Sequence, residues 1–217
     1  MPPRRPRAAR KPAYHHGNLR EALLAAAVDL IAEVGPEAAS LREVARRAGV
    51  SQAAPYRHFA DKAALLAAVA EQGFRTMTAE MRAAAAGIAD AASHLRATGV
   101  AYVLFACGHP AHFRVMFGSA RGEGCDPALT AAAQENYGLL EAGIAACQRA
   151  GVVRDDDAQR IALFAWTVVH GLASLLVDRQ LMGPLAGASE RTLAETVLLQ
   201  SFEGLRPPAR SRSSGGR

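Results

Sequence analysis

Residues 40–62, SLREVARRAGVSQAAPYRHFADK, decide how the rest of the chain is read. Ser40 can cap a helix, and Glu43 three positions on completes the Ser-x-x-Glu pattern of a reciprocal capping box. Leu41, Val44, Ala45 and Ala48 share one helical face, with Arg42, Arg46 and Arg47 outside it. Gly49 can turn at positive φ, Val50 is an apolar plug, and Ser51 is positioned to cap a second helix over residues 52–59. A short helix, a glycine turn and a second helix form the helix-turn-helix pattern, whose second helix enters the DNA major groove.

The second segment carries groups suited to nucleic acid. Gln52 can pair bidentately with adenine, and Ala53 is small enough to touch a thymine methyl. Tyr56, Arg57, His58 and Lys62 can reach phosphate oxygens. Pro55 lies in the first turn after Ser51. It should therefore cost well below the roughly 3 kcal/mol of an interior proline. Phe59 is expected in the core and Tyr56 outside it.

From about residue 17 to 62 the chain resembles the DNA-binding domain of the tetracycline-repressor (TetR) family. The resemblance rests on GNLREALLAAAVDLIAEVG, then LREVARRAGVS, then PYRHFADKAALL. It implies that Arg42, Gln52, Ala53 and Tyr56 face bases. Ser40, Ser51, Tyr56, His58 and Lys62 would hold the phosphate backbone.

Half of the 217 residues are apolar, with alanine prominent, and only 6% are aromatic. Scarce β-branched runs point to an all-α fold. The net charge of +5 is unevenly spread. Residues 1–62 hold 11 Lys+Arg against 6 Asp+Glu, residues 63–205 hold 10 against 14, and residues 206–217 hold 4 against none. Basic charge thus sits with the proposed DNA-binding part and the two ends. Cys107, Cys125 and Cys147 lack paired spacing, which suits free thiols in a reducing cytoplasm. The basic start leads into no signal-peptide pattern. IALFAWTVVHGLASLLV, residues 161–177, is uncharged but short of about 20 residues, so a buried bundle helix is expected and no membrane partner.

The chain divides by pattern into a disordered basic arm (1–13), a helix-turn-helix domain (14–75), a helical ligand-binding and dimerisation domain (76–205) and a flexible basic tail (206–217). The first helix runs from about 18 to 34, with Leu19, Leu23, Ala27, Leu30, Ile31 and Val34 inward and Gly35-Pro36 as its stop. A long connecting helix follows the Asp61 cap to about residue 86. Further helices are expected at 88–107, 110–117, 126–150, 157–181 and 189–205, with a glycine-rich loop at 118–125. There is no internal repeat.

AYVLFACGHPAHFRVMF and Trp166-x-x-x-His170-Gly171 resemble a subclass of the same family named after its Trp-His-Gly triplet. That resemblance implies a helical ligand-sensing and dimerisation domain. Phe105, Phe113, Met116, Phe117, Tyr137, Trp166 and His170 are candidates for the wall of an apolar effector pocket, each of them also suited to plain core packing. A single hydrogen bond would satisfy a buried His170. Cys107-x-His109-x-x-His112 offers zinc-type ligands, but Gly108 and Pro110 break the helix and no fourth ligand is evident, so no metal is expected. No cofactor or catalytic fingerprint occurs, and Asp155–Asp157 is explained by a helix start. The expected function is a homodimeric DNA-binding transcriptional regulator, a repressor, released from a palindromic operator by a small apolar or aromatic effector. The alternative is a regulator without a small-molecule ligand.

Overall fold

A computed structural model describes residues 19–118, 126–183 and 187–206. The expected basic arm, most of the glycine-rich loop and the tail beyond Arg206 lie outside the described residues. Among the described residues the regular elements are all helical. They are α1 (Leu19–Ala38), α2 (Leu41–Ala48), α3 (Lys62–Ala85), α4 (Ala91–Gly108), α5 (Pro110–Phe117), α6 (Pro127–Arg149), α7 (Ala158–Val177) and α8 (Glu190–Gly204), with a 3-10 turn at Pro55–Arg57.

Local chemistry sets most boundaries. Asp61 accepts the Ala64 N–H at 2.8 Å to open α3, and Asp126, Asp157 and Ser189 cap α6, α7 and α8 in the same way. Asp90 caps α4 through the Ser93 N–H, so that helix begins at Ala91 rather than at 88. The helix expected to reach 181 ends at Val177, where Arg179 adopts a φ of 54°. In α1, Gly35 breaks the helix at φ 79° and Pro36 starts a last short turn. Leu23, Ala27, Leu30 and Ile31 are buried as expected, but Val34 is 48% exposed. Its phase matches the buried stripe, but it stands in the last turn before the break at Gly35.

α3 is the spine. It packs on α1 near its start and on α4, α5 and α6 along its length. One cluster of buried side chains runs from Leu23 through Phe59, Leu66 and Met77 to Phe105 and Ala194. A smaller cluster around Leu95, Ile144, Cys147 and Ile161 closes the far end. α7 is long and apolar enough to cross a membrane by composition alone, yet it packs into the bundle against α4, α6 and α8. It is not buried all round: Leu163, Phe164 and Leu175 face outward.

Candidate nucleic-acid interface and ligand cavity

The turn between α2 and the following segment forms as its sequence requires. Gly49 sits at φ 72°, and its N–H reaches the Ala45 and Arg46 carbonyls. Ser40 Oγ accepts the Glu43 N–H at 3.3 Å. The reciprocal half of the expected capping box is replaced by a different pairing. The Glu43 carboxylate takes Arg46, at 3.0 and 2.9 Å from its Nε. An arginine one turn away offers a stronger charge-assisted bond than the Ser40 amide.

The second helix, expected over 52–59, contracts to the 3-10 turn Pro55–Arg57. Pro55 has no N–H to give the Ser51 carbonyl, which accepts from Ala54 at 3.0 Å instead. His58 and Phe59 both bond to the Pro55 carbonyl at 2.9 Å, which tightens the segment further. The segment stands on an apolar base. Pro55 is buried, Phe59 is 3% exposed, and the Arg20 guanidinium lies 5.7 Å from the Phe59 ring centre. Tyr56, three residues earlier, is 52% exposed.

Ser40, Arg42, Ser51, Gln52, Ala53, Tyr56, Arg57 and His58 are all exposed. Lys62 is half-buried and donates from Nζ to the Glu37 carbonyl, joining the start of α3 to the end of α1. Arg46 and Arg47 are engaged with Glu43 and Glu33. These hydrogen bonds hold both carboxyls below the usual range and raise both guanidiniums. Arg42, by contrast, has no ion pair among the described residues. Of the three α2 arginines it is the one left free there for an outside anion.

A second concave feature lies in the larger half. A cavity of about 260 Å³ is walled by residues from α3 to α8 and the segment just beyond α8. Phe74 and Met81 come from α3, Arg96, Thr98 and Tyr102 from α4, Phe117 from α5, and Asn136 and Tyr137 from α6. Trp166 and Val169 come from α7, and Leu198, Ser201 and Phe202 from α8. Of the seven residues proposed from sequence, Phe117, Tyr137 and Trp166 line it. Phe105 and Met116 are fully buried elsewhere in the core, Phe105 stacking on His109 at 4.7 Å and Met116 packing against Gly73. Phe113 and His170 stand one layer behind the wall. They line a separate cleft that includes Pro36 and Glu37.

The layer behind the wall is an aromatic cluster. His170 lies 5.2 Å from Trp166, 4.6 Å from Phe117 and 5.3 Å from Phe113, centre to centre. Its Nδ1 is 2.9 Å from the Tyr102 hydroxyl. Burial pushes the His170 imidazole down and the Tyr102 phenol up, which favours the neutral form of each, and with the ring proton on Nε2 the hydroxyl donates to Nδ1. Sequence reasoning missed Phe74, Met81, Asn136, Leu198 and Phe202. Asn136 had a signal: it occupies the buried phase of α6, four residues from Ala132 and four from Leu140. Its amide nitrogen donates to Thr78 Oγ1 at 3.0 Å.

Cys107 is half-buried and Cys147 is buried, both as free thiols, and Cys125 lies outside the described residues. His109 faces Glu80 at 3.2 Å and His112 faces Gln72 at 3.5 Å.

A helix-turn-helix base joined by one long helix to a helical cavity domain is an arrangement found among known proteins. Residues 23–69 match the family model described as bacterial regulatory proteins, tetR family. Residues 95–199 match the tetracyclin repressor-like C-terminal domain. The chain belongs to the tetracycline-repressor family. Fifty-two residues are 48% identical to the class C tetracycline repressor of Escherichia coli; they make up 24% of each chain, so the match spans about a quarter of that repressor. A solved protein of unknown function from Rhodococcus sp. RHA1 is 35% identical, with a TM-score of 0.78 over 91% of this chain and 100% of its own. PfmR, a TetR family transcriptional regulator from Thermus thermophilus, is 21% identical, with a TM-score of 0.67 over 85% of this chain and 99% of its own. FadR from Bacillus subtilis, solved in complex with stearoyl-CoA, is 16% identical, with a TM-score of 0.71 over 86% and 99%. The last two share the fold.

Proposed function

We propose that this TetR-family regulator is a cytoplasmic homodimeric repressor that binds a palindromic operator and is released by a small apolar effector. The observation carrying the reading is the exposed polar ridge from Ser40 to His58 on a buried apolar base, with Arg42 unpaired among the described residues. Arg42, Gln52, Ala53 and Tyr56 read bases, while Ser40, Ser51, Tyr56, Arg57, His58 and Lys62 hold phosphates. Lys62 also anchors α3 to α1, so its loss acts on the joint as well as on the duplex.

The outward apolar residues of α7, Leu163, Phe164 and Leu175, pair with those of a second copy, α8 lying alongside. Such a dimer sets the two ridges about 34–36 Å apart, one turn of duplex. Membership of the Trp-His-Gly subclass, the domain division near residue 75 and a non-catalytic role belong to the same reading.

α3 carries the coupling. Phe74 and Met81 line the cavity, and Lys62 stands at the other end of the same helix, about 18 Å from Phe74 along its axis. An effector that displaces Phe74 moves the joint and changes the ridge spacing. Operator and effector must then weaken each other by the same factor.

The test has two arms. Sedimentation of the purified chain should give a dimer, converted to monomer by Phe164→Glu. Fluorescence anisotropy should give tighter binding to an inverted repeat drawn from DNA upstream of its own gene than to the scrambled duplex. A monomeric wild type, or equal affinity for both duplexes at physiological salt, overturns the reading.

A further inference from the structure

Among the described residues, Arg96 is the sole charged one on the cavity wall. It is exposed, and it also borders an outer groove with Ser93, Arg191 and Glu195. Its side chain therefore stands where the cavity meets solvent. Glu195 is occupied by Arg191 at 3.9 Å. Asp90, whose carboxyl feels the charge of Arg96, spends that carboxylate on the Ser93 N–H at 2.8 Å. Arg96 itself has no ion pair among the described residues. Several polar groups on the wall are already committed: Thr98 to the His94 carbonyl at 2.7 Å, Ser201 to Val197 at 2.8 Å, and Tyr102 to His170 at 2.9 Å.

We infer that the effector is a small apolar monocarboxylate, its hydrocarbon body in the cavity and its carboxylate held at the rim by Arg96. The inference rests on the effector reading above and names its ligand class. A planar guanidinium offers paired donors that match a carboxylate in geometry as well as charge. A sugar would bury hydroxyls among Phe74, Trp166 and Phe202 with few partners, and a cation would meet Arg96 at the mouth. Volume limits the body. A dry cavity of about 150 Å³ accepts benzene, so the 260 Å³ here holds a body of roughly ten carbons. An eighteen-carbon chain exceeds it.

The matched probes are 4-phenylbutyrate, 4-phenylbutanamide and 4-phenylbutylammonium, which keep one body and vary the head group. Trp166, the chain's only tryptophan, lines the cavity, so its fluorescence reports occupancy directly, with calorimetry as the second readout. The acid should bind at least about tenfold tighter than the amide, and the ammonium weakest. Arg96→Gln should bring acid and amide within about threefold of each other, and Arg96→Lys should keep part of the preference. Arg96 is exposed, so both variants should fold. Equal binding of acid and amide to the wild type, unchanged in Arg96→Gln, overturns the carboxylate inference and leaves an effector cavity standing. No Trp166 response to any probe at millimolar concentration overturns both.

Discussion

The ridge from Ser40 to His58 and the cavity ringed by α3 to α8 are opposite ways of building a binding surface. The ridge comes from neighbours in sequence, is wet, and keeps its binding groups apart from its packing groups. Tyr56 faces solvent while Phe59, three residues on, is buried. The cavity draws its wall from positions between Phe74 and Leu205, is apolar, and asks the same side chains to pack and to bind. Phe117 touches Phe74, Phe113, Tyr102, Trp166 and His170 with ring centres between 4.6 and 6.4 Å, so it belongs to core and wall together. On the ridge, side chains that bind can be replaced with little expected cost in stability, whereas in the cavity the aromatic wall is expected to lose stability and binding together.

The largest effect expected from this contrast is at Phe59. Phe59→Ala should cost about 3–5 kcal/mol in urea unfolding, because it empties the base of the ridge. Tyr56→Ala should stay within about 0.5 kcal/mol of wild type while DNA affinity falls. Comparable destabilisation by both would mean that the ridge does not separate the two roles. Phe117→Ala tests the other side, with an expected loss of about 3 kcal/mol. Calorimetry with 4-phenylbutyrate should register an altered affinity in the same variant. A change in one property without the other would break the claim that packing and binding are fused there.

Next in size is the effect of single ridge residues on sequence preference. Gln52→Ala or Arg42→Ala should reduce discrimination between the inverted repeat and scrambled DNA by about 1–3 kcal/mol. Arg57→Ala should instead weaken both duplexes alike and lower the salt slope by about 0.9. Equal losses from Gln52→Ala on the two duplexes would remove it from the base-reading set.

The contrast also explains which features were legible in the sequence. Caps are local, so Ser40, Gly49, Asp61 and Asp157 marked their boundaries within a few residues. The ridge failed only where two local options competed. Pro55 gave the segment a 3-10 turn in place of a helix, and Glu43 chose Arg46 over the Ser40 amide. The cavity was less legible for a different reason. Helical periodicity tells which face is apolar but not whether another side chain fills the space opposite. Phe105, Phe113 and Met116 therefore looked the same in sequence as Phe117, Tyr137 and Trp166. Phe74 lay hidden in the connecting helix, whose apolar stripe already had a sufficient explanation.

The smallest expected effect concerns protons in the layer behind the wall. Burial lowers the His170 pKa, and Nδ1 of the ring is hydrogen-bonded with the Tyr102 hydroxyl at 2.9 Å. The ring's aromatic neighbours are Phe113, Phe117 and Trp166, and the cleft it lines also carries Glu37, Arg114 and Asp178. In the unfolded chain the same histidine takes up a proton near its ordinary value of about 6.5. Below that pH the unfolded state binds more protons than the folded one, so stability falls as pH drops and levels off once the lower folded value is passed. His112 is shifted in the same direction, by burial first and then by His109, so wild type contains both contributions. His170→Gln and His112→Gln divide them. Thermal melts between pH 7.5 and 5 should show a shallower fall in His170→Gln than in wild type, by a few degrees at most. An unchanged slope would mean that the folded protein accommodates the imidazolium, with Glu37 and Asp178 on the same cleft as the available anions.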